Sequence, residues 1–109
     1  MSGFLDDMAR SSAARVAEAA RHEPAQALER RARAMPPSPP LRLSGFDVIA
    51  ELKLRSPAVG RLGDASRDWL GRIAAYARGG AAAVSVLTEP SRFDGALDHL
   101  RQAAEALAP

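Results

Sequence analysis

The 109-residue sequence predicts an α/β protein, and three observations carry that expectation. Two apolar runs of strand length, Asp47 to Leu54 and Ala81 to Leu87, each precede a segment with helical apolar spacing. Strands that alternate with helices in this way imply parallel strands joined by crossovers. Ahead of them lies Pro36-Pro37-Ser38-Pro39-Pro40, whose four prolines in five residues exclude both a helix and a central strand.

The elements follow in chain order. Leu5, Met8, Ser12, Val16 and Ala20 recur at steps of three and four, a partly apolar helical stripe with Ser2 as a candidate cap and an end near His22. Pro24 suits the first turn of a second helix, in which Leu28, Ala32 and Met35 repeat the spacing. The reading is therefore a helical extension over 1–35, a proline-rich linker over 36–46, and two βα units over 47–109. The first strand candidate is Asp47 to Leu54. The segment from Arg55 to Gly63 reads as a loop by its proline and glycines. A helix from about Ser66 or Arg67 to Arg78 presents Trp69, Leu70, Ile73, Ala74 and Ala77, and Gly79-Gly80 stops it. Ala81 to Leu87 is a short buried strand, and Thr88 to Asp94 is a loop. A last helix, from about Gly95 to Leu107, carries Leu97, Leu100, Ala104 and Leu107 on one face.

Composition narrows the function classes. The chain is 47% hydrophobic and 26% charged, as a globular protein is. Much of the apolar share is alanine, which buries little area, so a weakly stable core is expected. Net charge is only +2. The one dense basic run, Arg30, Arg31 and Arg33, suits a solvated helix face better than a nucleic-acid surface. No cysteine is present, which excludes disulfides and thiolate metal sites and suits a reducing compartment. Asp6 and Asp7 near the start are unlike a secretory signal, and no apolar run approaches the ~20 residues of a membrane span. A soluble cytoplasmic protein is expected, with no membrane and no nucleic-acid partner. His22 and His99 each stand alone without a second ligand at metal spacing, so no metal site is expected. Trp69 and Tyr76 read as helix packing.

The chemistry concentrates in the first strand. Alternation puts Ile49, Glu51 and Lys53 on one face and Val48, Ala50, Leu52 and Leu54 on the other. The second set suits packing against helices. The first sets an acid beside a base, which fits either the active-site mouth of a barrel or the charged decoration of an exposed edge strand.

The surrounding residues resemble a family. Val48-Ile-Ala-Glu-Leu-Lys-Leu-Arg-Ser-Pro-Ala-Val-Gly60 is similar to the first-strand signature of indole-3-glycerol phosphate synthases, matching at Glu51, Lys53, Ser56, Pro57 and Gly60. Ala75 to Glu89 resembles the family's second unit, and Phe93-Asp-Gly95 its Phe-x-Gly turn. The helical leader resembles the family's N-terminal extension. The resemblance implies a (β/α)8 TIM barrel, here incomplete, since such barrels take ~250 residues. It implies a carbon–carbon lyase of tryptophan biosynthesis. That enzyme closes the indole ring of 1-(2-carboxyphenylamino)-1-deoxyribulose 5-phosphate, with loss of CO2 and water and no metal or organic cofactor. Lys53 would face the anionic substrate, Glu51 would position Lys53, Ser56 and Pro57 would lie in the loop over the substrate, and Phe93 would pack on its anthranilate-derived ring. The family's next catalytic lysine belongs to a third strand, and its phosphate loops follow the seventh and eighth. The chain is thus expected to be inactive alone, with the missing barrel half or a further copy of itself as partner. The alternative is a non-catalytic barrel remnant that acts as an association module. Departures from the family pattern are Leu54 where a basic residue is common, Ala58 and Val59 where Ser and Lys are common, and Ala96 where a capping serine often begins the last helix.

Overall fold

The computed structural model describes residues 3–62 and 68–108. Two compact units divide it, Met1–Pro39 and Pro40–Pro109.

The first unit holds α1 (Phe4–His22) and α2 (Ala25–Arg33). Gly3 caps α1, and its N–H is accepted by Asp6 Oδ2 at 3.3 Å; Ser2 lies outside the described residues. Pro24 stands one position before the first turn of α2, as its cap. The corner between the helices carries a bidentate ion pair: Arg31 donates through Nε and Nη2 to the two carboxylate oxygens of Glu23, at 3.0 and 2.7 Å. These hydrogen bonds hold the Glu23 carboxyl below its usual range and raise the Arg31 guanidinium. Arg33 pairs with Glu29 at 2.8 Å, so part of the basic run is neutralised within its own helix. Neither helix contains a buried residue. Pro36 to Pro40 adopts neither helix nor strand.

The second unit runs β1 (Ile49–Leu52), β2 (Arg55–Ser56), β3 (Gly60–Arg61), α3 (Trp69–Arg78), β4 (Ala83–Val86), α4 (Pro90–Phe93) and α5 (Leu97–Ala106). Strands β1 and β4 pair in parallel, with Ile49 opposite Ala83 and Leu52 opposite Val86. Helix α3 is the crossover and packs on both strands and on α5. The expected α/β class with parallel strands is observed, as a two-stranded sheet and not as a closed barrel. Among the described residues the core is Leu52, Ile73 and Ala103, each no more than 3% exposed, with Leu54, Trp69, Val84 and Val86 packed around it.

Four expectations need correction. Both strands are shorter than their apolar runs. The loop after β1 is not structureless: β2 and β3 form a small antiparallel ladder, Arg55 opposite Arg61 and Ser56 opposite Gly60. The turn between them is made possible by Gly60 at φ +74°, a conformation that glycine adopts without steric cost. The segment from Thr88 to Asp94 contains the one-turn helix α4, because Pro90 presets its first turn and Glu89 caps it, accepting from the N–H groups of Ser91 (2.8 Å) and Arg92 (2.7 Å). Helix α5 turns a different face inward from the one its leucines suggest. Ala103 is buried and Ala96 and His99 are half-buried, while Leu97 is 77% exposed and Leu100 and Leu107 also face outward. Helix α5 meets α3 through this face, where the His99 ring tilts onto Trp69 at 5.0 Å between centroids. The expected start of α3 near Ser66 or Arg67 lies outside the described residues; the helix is capped by Asp68, whose side chain accepts from Gly71 N at 3.0 Å.

Candidate functional site

The site is built where β1 ends. Leu52 points into the core, so the pleat turns Glu51 and Lys53 the other way. Lys53 Nζ lies 3.1 Å from Glu51 Oε1. Two neighbours fix this stretch of strand. Leu87 N–H donates to Leu52 O at 3.1 Å, and Tyr76 of α3 donates its hydroxyl to Glu51 O at 3.4 Å. Ile49, on the same face, is 64% exposed. Val48, expected to pack inward, is also 52% exposed, although its carbonyl accepts from Ala82 N–H at 2.9 Å.

The second wall comes from the turn after β4. Phe93 closes α4, and Lys53 Nζ lies 5.8 Å from the centroid of its ring, within cation–π range. The position of that ring depends on the next two residues. Asp94 takes a left-handed conformation at φ 53°, which reverses the chain. A Cβ on Gly95 would lie 2.2 Å from Leu87 O and 2.7 Å from the carbonyl carbon of Thr88, so only glycine fits. Gly95 N–H closes the turn on Glu89 O at 2.9 Å. The Phe-x-Gly pattern thus has a steric cause.

The loop after β1 supplies the third wall. Ser56 Oγ accepts from Ala58 N–H at 3.3 Å and braces the turn that begins at the exposed Pro57. Arg55 reaches across to Asp94, Nη1 to Oδ1 at 3.5 Å. The structure therefore brings Glu51, Lys53 and Phe93 together and sets Ser56 and Pro57 in the adjoining hairpin. Sequence reading missed Asp94, Tyr76 and Glu89. The usable signals were the aspartate ahead of an obligatory glycine and the acid ahead of Pro90; nothing local marks Tyr76. Among the described residues no group of three or more His, Asp or Glu side chains is placed to hold a metal ion. His22 instead pairs with Glu18 at 3.0 Å, and the buried His99 Nδ1 has no hydrogen-bond partner among the described residues.

Chemically, the arrangement sets an ammonium group beside a carboxylate and over an aromatic face, at the C-terminal end of a parallel strand. That position is where barrel enzymes carry their reacting groups. The family model for indole-3-glycerol phosphate synthase matches residues 5–109. The chain belongs to the indole-3-glycerol phosphate synthase family. The indole-3-glycerol phosphate synthase of Methanopyrus kandleri is 50% identical over 64 residues, 58% of this chain and 25% of that protein. The enzyme of the same name from a Nocardioides species is 48% identical over 71 residues, 65% of this chain and 27% of that protein. Indole-3-glycerol phosphate synthase 2 of Streptomyces coelicolor is 52% identical over 67 residues, 61% of this chain and 25% of that protein. The chain spans about a quarter of the length of these relatives. No described helix is long and apolar enough to cross a membrane.

Proposed function

We propose that this chain contributes the first part of an indole-3-glycerol phosphate synthase active site, acting on 1-(2-carboxyphenylamino)-1-deoxyribulose 5-phosphate in the cytoplasmic synthesis of tryptophan. The observation that carries the reading is the placement of Lys53 Nζ, 3.1 Å from Glu51 and 5.8 Å over the Phe93 ring. In the reaction a carbon of the anthranilate ring bonds to the ribulose carbonyl carbon, the carboxylate leaves as CO2, and the former carbonyl oxygen leaves as water. Lys53 attracts the anionic substrate and donates to its oxygen atoms. Glu51 orients Lys53 through their 3.1 Å ion pair. Phe93 packs on the aromatic ring, and Ser56 and Pro57 line the covering loop. The helical extension over 1–35 and the linker over 36–46 precede this catalytic portion.

The 109 residues alone do not turn over in this reading, because the family's third-strand lysine and its phosphate loops belong to later strands. Ring closure, followed by the appearance of indole-3-glycerol phosphate, is expected only when a polypeptide supplying those strands is added. In that complemented enzyme Lys53→Ala lowers kcat/KM by on the order of 10²–10⁴, the range for a group engaged in proton transfer. Turnover by the chain alone would overturn the need for the later strands, and unchanged turnover in Lys53→Ala would overturn the role of Lys53.

A second reading is a non-catalytic association module, favoured by the exposed Ile49 and by the outer edge of β1, which pairs with no strand among the described residues. It predicts self-association of the chain in sedimentation, with no binding of the phosphorylated substrate.

A further inference from the structure

The Arg55–Asp94 ion pair joins two segments far apart in sequence, at a place where each carries a neighbour of the site. Arg55 begins the β2–β3 hairpin two residues after Lys53. Asp94 follows Phe93 directly and holds the left-handed position that ends α4. Across the hairpin Arg55 faces Arg61, a like charge directly opposite, which by itself is unfavourable. Asp94 therefore stands as the counter-charge that gives Arg55 a reason to lean toward α4. The turn behind Asp94 is stiff: Gly95 admits no side chain and Glu89 caps the preceding helix. An attraction acting on Asp94 thus moves Phe93 with it.

We propose that Arg55 and Asp94 are positioning residues whose ion pair sets the Phe93 ring over Lys53, and so sets where the aromatic ring of the substrate packs. This rests on the functional reading above for the identity of the ligand, though not for the geometry. The pair is 3.5 Å long, with side chains 45% and 38% exposed, so dissolved salt screens it. The Phe93–Lys53 contact is accordingly salt-sensitive, whereas the buried packing of Leu52 and Ile73 is not.

The test uses the ring current of Phe93, read as the displacement of the Lys53 ε-methylene resonance in the NMR spectrum of the full 109-residue chain. Asp94→Asn keeps a residue that tolerates the left-handed conformation and removes only the charge. Arg55→Gln removes the opposite charge, and Arg55→Lys retains it. Asp94→Asn and Arg55→Gln are expected to return the Lys53 signal toward that of an unstructured lysine, as is molar sodium chloride on the unmodified chain. Arg55→Lys is expected to keep most of the displacement, and the core methyl resonances of Leu52 and Ile73 stay in place throughout. An unchanged Lys53 signal in both charge-removing variants, or its loss together with the core signals, would overturn the proposal. Titration of the complemented enzyme, the unmodified chain together with a polypeptide supplying the later strands, with the carboxyphenylamino-deoxyribulose phosphate separates the two claims. Binding with an unchanged variant signal sinks the positioning pair alone; a responsive variant signal without binding sinks the substrate assignment alone.

Discussion

The Gly95 hydrogen that a side chain would replace points at backbone: a Cβ there would meet Leu87 O at 2.2 Å and the Thr88 Cα at 2.8 Å. No flexible side chain is available to give way. Gly95→Ala is expected to destabilise the chain by about 1–3 kcal/mol, the usual cost of overpacking, read as a lowered midpoint in urea unfolding. A change within the error of the midpoint would show that the turn is looser than its geometry. The residue scale also separates what sequence could reveal from what it could not. That Glu51 and Lys53 share a face opposite Leu52 follows from strand alternation alone. Phe93 required the family resemblance, since nothing in its local pattern tells an aromatic wall from a helix-entry contact. The Arg55–Asp94 pair was out of reach because the partners lie 39 residues apart, and pleat geometry says where Arg55 leaves the strand but not what it meets.

Among the elements, α5 shows how apolar pattern and burial part company. Its leucines mark the wider apolar face, yet the structure buries the one around Ala103, where His99 meets Trp69 of α3. Periodicity detects a stripe, and packing chooses which stripe is used. The missing cap, by contrast, was legible. Ala96 occupies the N-cap of α5 in extended conformation with no side-chain hydrogen bond. Ala96→Ser supplies a side-chain acceptor for the first turn and is expected to add about 0.5–1 kcal/mol, seen as a rise in the thermal midpoint. No rise would mean that the half-buried site cannot seat the hydroxyl. The hairpin β2–β3 and the one-turn helix α4 were hidden for a simpler reason: segments of two to four residues are too short to display a period.

For the whole molecule, the scarcity of buried residues governs behaviour. The described hydrophobic core comprises Leu52, Ile73 and Ala103, as an alanine-rich composition leads one to expect. Ile73 is 0% exposed and joins α3 to both the sheet and α5. Ile73→Ala is expected to cost about 2–5 kcal/mol, comparable to the total stability of a marginal domain at ~5 kcal/mol. The variant should lose its cooperative unfolding transition in near-UV circular dichroism; a sharp transition near the original midpoint would show that Ile73 is not the keystone of the core. The β1–β4 pairing carries a kinetic corollary. Parallel neighbours cannot zip from a tight turn, so Ile49 and Ala83 meet only after the whole crossover through α3 has collapsed. Newly made chain therefore passes through a period in which the Ile49–Leu52 segment has a bare edge and no partner. During that interval the segment is vulnerable to aggregation, and a chaperone that shields extended apolar segments is expected to raise the yield.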